Sequence, residues 1–227
     1  MGRKVAVLKK VLFIVTGGAF NDAMFFQQKK AELNPAGIIC ADGGARHLYG
    51  IGLVADVIIG DLDSLNAEIQ HYFEERGSRI IKHPEAKNKT DTQLALDYAV
   101  RMAPDEIYIF GACGTRIDHT LANLSLLVSG LQNNIPIKLI DEWCEVFIVT
   151  GKYIIEGNAG QTVSLLPFSD RVTGITLHGF EYPLENGVME AGNPYGVSNR
   201  LNSTTGIITI GSGRLLVISY FRAGILP

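Results

Sequence analysis

Cysteine is scarce in this sequence, and its placement excludes a framework of disulfide bonds. The cysteines are Cys40, Cys113 and Cys144. They form no C-x-x-C pair, and their odd number argues against a set of paired cysteines. We therefore expect a cytoplasmic protein whose thiols are free.

Long hydrophobic runs and runs of basic residues are also missing. The apolar run Val11–Val15 follows Lys9 and Lys10, but Gly17 and Gly18 end it too early for the core of a signal peptide. No stretch approaches the length of a transmembrane helix. The formal net charge is -3 and no stripe of Lys and Arg is present. We therefore expect neither a membrane nor a nucleic acid as a partner.

The sequence does contain the signals of a soluble α/β protein. Of its 227 residues 47% are hydrophobic and 19% are charged, which is typical of a globular chain. Short apolar runs that end at Gly or Asp are typical of buried parallel strands. These runs are 11–15, 38–41, 56–59, 107–110 and 137–140. Between them, helical spacing places apolar residues on one stripe at Leu94, Ala95, Tyr98, Ala99 and Met102, and on another at Leu121, Leu124, Leu127, Val128 and Leu131. This alternation predicts a parallel sheet covered by helices.

The pattern changes near Trp143. Beyond residue 146 no helical period is evident, and short β-type runs alternate with glycine-containing turns. The runs are 146–150, 162–166, 172–177, 206–210 and 215–220. They predict an antiparallel β-sandwich of about 80 residues, which is small for an independent domain. We expect an α/β domain over residues 1–143 and a β-sandwich domain over residues 144–227.

Acidic and glycine-rich segments follow the predicted strands of the first domain. These segments are 42–44, 60–63 and 111–118. Ligands of parallel α/β sheets bind beyond the carboxyl ends of the strands, so the three segments are expected at one site. Thr16-Gly17-Gly18 and Asp42-Gly43-Gly44 are short candidates for contact with phosphate or ribose. Neither contains the G-x-G-x-x-G dinucleotide pattern.

Asp61 and Asp63 are candidate metal ligands. In extended backbone, residues i and i+2 project to the same side. Carboxylates ~5 Å apart would repel by roughly 3 kcal/mol at an effective dielectric constant near 20, and a divalent cation removes that repulsion. Two carboxylates with open positions for water and phosphate suit Mg²⁺. The alternative is a turn in which one of the two aspartates caps the following helix.

Asp91 also has two interpretations. Thr90 followed by Gln93 matches a capping box, and an acid in the first helical turn is favoured by the helix dipole. Asp91 could equally be a third carboxylate that faces Asp61 and Asp63. Lys87 or Lys89 would then be available for phosphate.

Residues 111–123 form a glycine loop that leads into a helix, where free N–H groups attract phosphate. The loop lacks the Gly-Lys-Ser/Thr of a Walker A motif. Arg116 could neutralise phosphate charge. Asp118 could bind metal, accept a hydroxyl proton or cap the helix. His119 and Asn123 share a helical face, and the histidine could instead have only a structural role.

The second domain offers polar clusters at 196–200 and at Tyr182-Pro183-Leu184. From composition alone, both could be ordinary turns.

Taken together, several short motifs resemble the thiamine pyrophosphokinase family, in order and in approximate spacing over nearly the whole chain. The matching stretches are Cys40-Ala-Asp-Gly-Gly-Ala-Arg46, Ile59-Gly-Asp-Leu-Asp-Ser64, Lys89-Thr-Asp-Thr92, Phe110-Gly-Ala-Cys-Gly-Thr-Arg-Ile-Asp-His119 with Asn123, Tyr182-Pro-Leu184 and Gly196-Val-Ser-Asn199. The resemblance implies a nucleotide-binding α/β domain, a C-terminal β-sandwich, and a homodimer whose active site is shared between two chains. It implies transfer of the diphosphate of ATP to the hydroxyl group of thiamine, with release of AMP.

The resemblance also assigns roles to residues. Asp61, Asp63, Asp91 and Asp118 match the acidic set around Mg²⁺, with the first three expected as ligands, and Arg116 matches the arginine beside the polyphosphate. The expected ATP contacts are Gly17, Gly18, Asp42, Gly43, Gly44, Lys89, Thr90, Gly111, Gly114, His119 and Asn123. The expected thiamine contacts are Ser198, Asn199 and Tyr182.

Two other functions are compatible with part of the pattern. A nucleotide-sugar transferase or an aspartyl phosphatase would also use the D-x-D pair, but it would not need the 111–123 loop. A non-catalytic regulator that binds thiamine or a nucleotide would not need four acids at strand ends. Release of AMP distinguishes the expected activity from these alternatives.

Overall fold

The computed structural model describes residues 9–86 and 88–221 of the chain. The chain divides into two compact units, Met1–Asp141 and Glu142–Pro227. Within the described ranges, no helix is both long enough and apolar enough to span a membrane.

The first unit contains a parallel sheet whose strands are β1 (Val11–Val15), β2 (Gly37–Ala41), β3 (Val57–Gly60), β4 (Arg79–Lys82), β5 (Glu106–Phe110) and β6 (Ile137–Ile140). The order across the described part of this sheet is β4-β3-β2-β1-β5-β6, and every pairing is parallel. The helices are α1 (Ala23–Leu33), α2 (Gly44–Gly50), α3 (Ala67–Glu75), α4 (Asp91–Arg101) and α5 (Ile117–Asn133). The predicted α/β architecture is confirmed.

The core of the first unit lies around β1, all of whose residues are buried. The ring of Phe13 on β1 packs against Phe26 of α1 at 5.8 Å and against Phe110 of β5 at 4.8 Å between centroids. Since β1 is central, burial on both faces accounts for its uninterrupted apolar sequence.

The two helices predicted from apolar spacing exist, but the second of the two predicted stripes is partly wrong. In α5 the buried residues are Asn123, Leu127 and Gly130. Leu121 is 59% exposed. It precedes Asn123 by two residues and lies about 160° away around the helix, so it faces away from the packed side.

The second unit is an antiparallel β-sandwich, as predicted. Its strands are β7 (Cys144–Val149), β8 (Tyr153–Glu156), β9 (Thr162–Pro167), β10 (Arg171–His178), β11 (Leu184–Glu190), β12 (Asn199–Arg200), β13 (Thr205–Thr209) and β14 (Leu215–Tyr220). One sheet has the order β12-β9-β14-β7 and the other β11-β10-β13-β8. Buried side chains from both sheets form one core, including Phe147, Val163, Val172, Ile208 and Val217.

Candidate active site

The strand order of the first unit reverses between β1 and β5, and a crevice is expected at the carboxyl ends of these two strands. The chain leaves β1 towards β2, β3 and β4 on one side, while β5 and β6 lie on the other side. Such a reversal of strand order is where parallel α/β sheets bind ligands. The glycine and aspartate segments singled out in the sequence follow β1, β2, β3 and β5.

Three carboxylates meet at this edge of the sheet. Asp42 follows β2, Asp61 follows β3, and Asp91 is the first residue of α4. Each offers one oxygen, and the three oxygens lie within 4.8 Å of one another. All three residues are half-buried. At this separation each pair of ionised carboxylates repels by about 3 kcal/mol at an effective dielectric constant of about 20.

Asp42 has an orphaned oxygen that fits a cation. Its Oδ1 atom is buried and has no hydrogen-bond partner among the described residues, and the same holds for the Ser64 hydroxyl. A buried oxygen without a partner is costly unless a ligand satisfies it. Carboxylate oxygens arranged around open positions are the ligands that Mg²⁺ prefers, so this set of donors fits the expected ion.

Asp63 lies beside this group but does not belong to the set of three. Its backbone N–H points to Oδ1 of Asp61 at 3.4 Å. The negative charge of Asp61, with smaller contributions from burial and from Asp42 and Asp91, raises the pKa of Asp63. The expectation of extended backbone is wrong here, because Leu62 has φ 66° and is buried in a turn. The two aspartates therefore do not share one side of a strand.

The start of α4 has the capping structure that the sequence also allowed. The Thr90 hydroxyl accepts the Gln93 N–H at 3.2 Å and so caps the helix. Lys89 donates to Asp97 at 2.6 Å on a partly exposed surface. Lys87 lies outside the described residues. Asp91 combines both of its interpretations, since it occupies the first helical turn and also joins the carboxylate group.

The two glycine loops at the crevice are bonded to each other. Thr16 donates its N–H to the Phe110 carbonyl at 2.9 Å, and Gly18 donates to the Gly111 carbonyl at 2.9 Å. The Thr16 hydroxyl also donates to the Gly111 carbonyl. Gly111 has φ 66°, and an added Cβ there would lie 2.5 Å from the Thr16 carbonyl oxygen. Glycine is therefore required at this contact, because the backbones approach too closely for a side chain.

The Asp42-Gly43-Gly44 turn adjoins the first of these loops. A Cβ at Gly17 would lie 3.4 Å from Gly43 Cα, so the two loop backbones are neighbours. Gly44 is the first residue of α2. The glycine segments that were selected from the sequence therefore lie close together in the fold.

A histidine that the sequence analysis did not select links α2 to the first glycine loop. The ring of His47 stacks on Phe20 at 4.9 Å, and its Nε2 hydrogen-bonds the Gly18 carbonyl at 3.0 Å. Burial lowers the pKa of His47, the charge of Arg46 lowers it further, and the bond to Gly18 opposes both effects. A lone histidine within a helix gives no sequence signal for this contact.

The loop after β5 presents its charges to solvent. Arg116 donates from Nε to Asp118 Oδ1 at 2.9 Å and from Nη2 to Oδ2 at 2.6 Å. This contact holds the pKa of Asp118 well below its usual range and raises that of Arg116. Asp118 is not part of the carboxylate set among the described residues. Gly114 and His119 are exposed, whereas Asn123 is buried and donates to the Ala112 carbonyl at 2.7 Å.

In the second unit, the expected thiamine residues adjoin a cleft of about 180 Å³. Its lining includes Tyr182, Pro183, Leu184, Tyr195, Val197 and Asn199. Tyr182 is 63% exposed, whereas Asn199 is 5% exposed. Ser198 has φ 61° and donates its N–H to the Ser164 hydroxyl at 3.0 Å. The turn that carries Ser198 and Asn199 is therefore held by a defined hydrogen bond, and a partly apolar cavity lies next to it.

Comparison with known proteins gives a consistent result for both units. Residues 30–139 match the family described as "Thiamin pyrophosphokinase, catalytic domain", and residues 152–215 match "Thiamin pyrophosphokinase, vitamin B1 binding domain". The chain is 35% identical to thiamine pyrophosphokinase of Bacillus subtilis over 182 residues, which cover 79% of this chain and 85% of that protein. It is 26% identical to thiamine pyrophosphokinase 1 of Oryza sativa, over 80% of this chain and 78% of that one.

Solved structures support the same relationship. The crystal structure of the Bacillus subtilis thiamine pyrophosphokinase superposes with a TM-score of 0.84 at 32% identity, covering 94% of this chain and 100% of that one. The yeast thiamin pyrophosphokinase shares the fold with a TM-score of 0.81 at 17% identity, over 94% of this chain and 87% of that one. With this degree of identity and coverage, the chain belongs to the thiamin pyrophosphokinase family.

Proposed function

We propose that this enzyme transfers the diphosphate of ATP to the hydroxyl group of thiamine, forming thiamine diphosphate and AMP. The observation that carries the proposal is the group of three carboxylates, Asp42, Asp61 and Asp91, at the carboxyl edge of a parallel sheet in a chain of this family. The buried Oδ1 of Asp42, which has no hydrogen-bond partner among residues 9–86 and 88–221, supports a ligand at this position.

Mg²⁺ is the ion that we propose for this group. Asp42, Asp61 and Asp91 would hold it, while Asp63 remains beside it as a further source of negative charge. This assignment keeps two of the three ligands expected from the sequence and exchanges Asp63 for Asp42. When bound, Mg²⁺ supplies positive charge that offsets the charge of the triphosphate.

The residues of the chain position the nucleotide and balance its charge. The glycine loops after β1, β2 and β5 allow the triphosphate to approach the backbone closely, and Lys89 and Arg116 are the proposed cationic contacts. Arg116 uses two of its five N–H donors on Asp118, which leaves three for phosphate oxygens. Asp118 therefore orients the guanidinium group that we place beside the polyphosphate.

In the reaction, the hydroxyl oxygen of thiamine forms a bond to the β-phosphorus of ATP. The bond from that phosphorus to the oxygen bridging it to the α-phosphate breaks, and AMP leaves with the electron pair. The hydroxyl proton is lost to a neighbouring carboxylate or to solvent. Catalysis of such a transfer consists mainly of positioning and charge stabilisation, which the residues at the crevice supply.

The cleft of the second unit is the proposed thiamine site. Exposed aromatic rings at Tyr182 and Tyr195 and apolar walls suit a flat heterocyclic ligand, and small-molecule sites commonly combine such walls with a few polar groups. We further propose a cytoplasmic homodimer in which the two chains share each active site. The separation of the acidic group and the aromatic cleft into different units supports this arrangement.

Product identification tests the proposed reaction. Incubation with thiamine and Mg·ATP should yield thiamine diphosphate and AMP in equal amounts, and Asp61→Asn should abolish both. Release of ADP or inorganic phosphate, without thiamine diphosphate, would instead support another class of enzyme.

Complementation tests the shared site. An Asp61→Asn chain and a Tyr182→Ala chain are co-refolded and assayed at thiamine concentrations well below KM. A heterodimer rebuilds one intact site, so activity should exceed that of either variant alone. A fully active monomer, or verified heterodimers without recovered activity, would contradict the shared site.

A further inference from the structure

The turn that borders the cleft of the second unit is held by the side chain of Asn199. Residues 179–181 and 200–202 run side by side, with Asn202 donating to the Gly179 carbonyl at 3.0 Å and Glu181 donating to the Arg200 carbonyl at 2.8 Å. Arg200 and Glu181 also form an ion pair at 3.8 Å on the exposed side. This ladder cannot continue beyond Tyr182 in the ordinary way, because the next residue is Pro183, which has no N–H.

The Asn199 side chain continues the ladder by one step. Its Oδ1 accepts the N–H of Tyr182 at 3.1 Å, and its Nδ2 donates to the carbonyl of the same residue at 2.8 Å. Oδ1 also accepts the N–H of Arg200 at 2.8 Å. The amide therefore binds both backbone groups of Tyr182, as a neighbouring strand would.

The hydrogen-bonding capacity of Asn199 is almost fully used by these contacts. An asparagine amide has two acceptor lone pairs and two N–H donors. Both lone pairs and one donor are engaged, and the residue is 5% exposed. Tyr182, by contrast, is 63% exposed and lines the cleft. Both residues line the cleft, but the amide of Asn199 is engaged with the backbone of Tyr182, whereas Tyr182 itself is mostly exposed.

We propose that Asn199 is a positioning residue for the substrate cleft, which acts on thiamine only through the backbone and ring of Tyr182. The inference rests on the proposed function, since that function assigns the cleft to thiamine. It assigns Asn199 a different role from the direct contact expected from the sequence. Loss of the Asn199 amide would release the backbone at Tyr182 and Pro183. The ring of Tyr182 would then no longer be held where the ligand binds.

Hydrogen exchange measures the positioning step without reference to activity. In Asn199→Ala the N–H of Tyr182 loses its acceptor, and we expect its exchange to accelerate by about tenfold or more, while the N–H of Glu181 keeps its partner and changes little. Unchanged protection at Tyr182 would overturn the inference. This measurement decides the point even if the protein proved to lack thiamine pyrophosphokinase activity.

Steady-state kinetics measure the consequence for substrate. We expect Asn199→Ala to raise KM for thiamine about fivefold to tenfold, as the loss of a buried hydrogen-bonded anchor implies, and to leave KM for ATP within about twofold. If exchange at Tyr182 accelerates but KM for thiamine does not change, the proposed effect of the Tyr182 backbone on substrate binding is wrong. Where Asn199→Ala does not fold, Asn199→Leu, which is closer in size to Asn and also lacks the acceptor and the donor, serves for both measurements.

A double-mutant cycle separates positioning from direct contact. In a Tyr182→Ala background the ring that Asn199 positions is absent, so Asn199→Ala should add little to the increase in KM for thiamine. Additive effects would mean that Asn199 contacts the ligand by itself, and they would overturn the inference.

Gln161 provides the matched control for a general loss of stability. It is also a buried amide of the second unit, 5% exposed, which donates to the Ser219 hydroxyl at 2.9 Å and accepts the Asn158 N–H at 3.0 Å. Gln161→Ala should lower the free energy of unfolding about as much as Asn199→Ala, with KM for thiamine unchanged. An equal rise in KM in both variants would reduce Asn199 to a structural residue and contradict the proposal.

Discussion

Gly18 donates its N–H to the Gly111 carbonyl at 2.9 Å, and this bond joins two loops that follow different strands. A Cβ added at Gly18 would lie 2.3 Å from that same carbonyl oxygen and 2.5 Å from the carbonyl oxygen of Cys113. Both obstacles are backbone atoms, so neither can move aside by a change of rotamer. The approach of the two loops therefore depends on the absence of a side chain at this residue.

The first prediction follows from this contact. Gly18→Ala should separate the loops and lower the free energy of unfolding by about 2 to 4 kcal/mol, with a loss of turnover because the loops border the crevice. Urea denaturation and a thiamine diphosphate assay measure the two effects. Gly50→Ala is the control, since among the described residues no atom beyond its chain neighbours and the backbone of its own helix lies within 4 Å of the added Cβ at the end of α2, and it should be neutral or stabilise by up to about 1 kcal/mol. Equal stability of the two variants would contradict the steric argument.

The second prediction concerns the mutual repulsion of the carboxylates of Asp42, Asp61 and Asp91. Asp42→Asn should raise the free energy of unfolding by about 1 kcal/mol in metal-free buffer, because one repelling charge is removed. Asn also tolerates the left-handed backbone at this residue, where φ is 40°. Turnover should nevertheless fall by about tenfold or more, since ~1.4 kcal/mol of lost transition-state stabilisation has this effect.

Thermal unfolding with EDTA and with added Mg²⁺ checks this prediction. The wild-type protein should gain more stability from Mg²⁺ than Asp42→Asn does, because a ligand stabilises the state that binds it. The exposed Asp170 supplies the control, and Asp170→Asn should leave both measurements unchanged. Lower stability of Asp42→Asn in EDTA would show that the carboxylates do not repel in the folded protein.

The third prediction concerns Arg116. Arg116→Lys should lower turnover by about tenfold, because a point charge cannot contact Asp118 and phosphate with the fixed geometry of a guanidinium group. KM for thiamine and the unfolding transition should change little, since the pair with Asp118 is exposed. Arg171→Lys, which alters another exposed pair, with Glu190 at 3.3 Å, is the control for surface charge. Normal turnover of Arg116→Ala would remove this residue from the polyphosphate site.

The fourth prediction concerns pH. Because the pKa of His47 is lowered in the folded protein from 6.5, the ring is neutral in both states above this value and its full contribution to stability is present there. As the pH falls below 6.5, the unfolded chain takes up a proton that the folded chain does not, so stability decreases until the folded pKa is reached. His47→Gln keeps a donor for Gly18 but cannot titrate in this range.

Urea denaturation between about pH 5 and pH 8 tests this sign. The difference in unfolding free energy between wild type and His47→Gln should decrease towards acid. His71→Gln, at an exposed histidine paired with Glu75 at 3.1 Å, is the control and should not reproduce this trend. Parallel curves for wild type and His47→Gln would mean that His47 does not couple folding to pH.

The strands that apolar runs define could be predicted, and those that lack such a run could not. β1 is buried throughout and β5 is buried from Ile107 to Phe110, so both contain the short runs without charged residues that are typical of strands covered on both faces. β4 was missed because only Ile80 and Ile81 are apolar between Arg79 and Lys82, and its residues are exposed or half-buried. At this edge of the sheet, pairing with β3 rather than burial determines the strand.

The same limit applies to the candidate site: the chemistry of a residue could be predicted from the sequence, but its neighbours in the fold could not. The sequence identified the chemistry of Asp42 but placed it among the nucleotide contacts, because its proximity to Asp61 and Asp91 depends on the order of the strands. The two roles of Asn199 are likewise indistinguishable in sequence, since a buried amide that binds backbone and one that binds a ligand look alike. Partners distant along the chain decide such assignments.

The clustered carboxylates affect which form of the nucleotide can approach. Asp42, Asp61, Asp63 and Asp91 concentrate negative charge at the mouth of the crevice. Uncomplexed ATP is itself a polyanion, so the field at this edge opposes its arrival and favours nucleotide that brings its own cation. The acids that we propose as the Mg²⁺ site would therefore also select the ionic form of the substrate. We expect free ATP to be a poor competitor, with a discrimination that weakens as added salt screens the field.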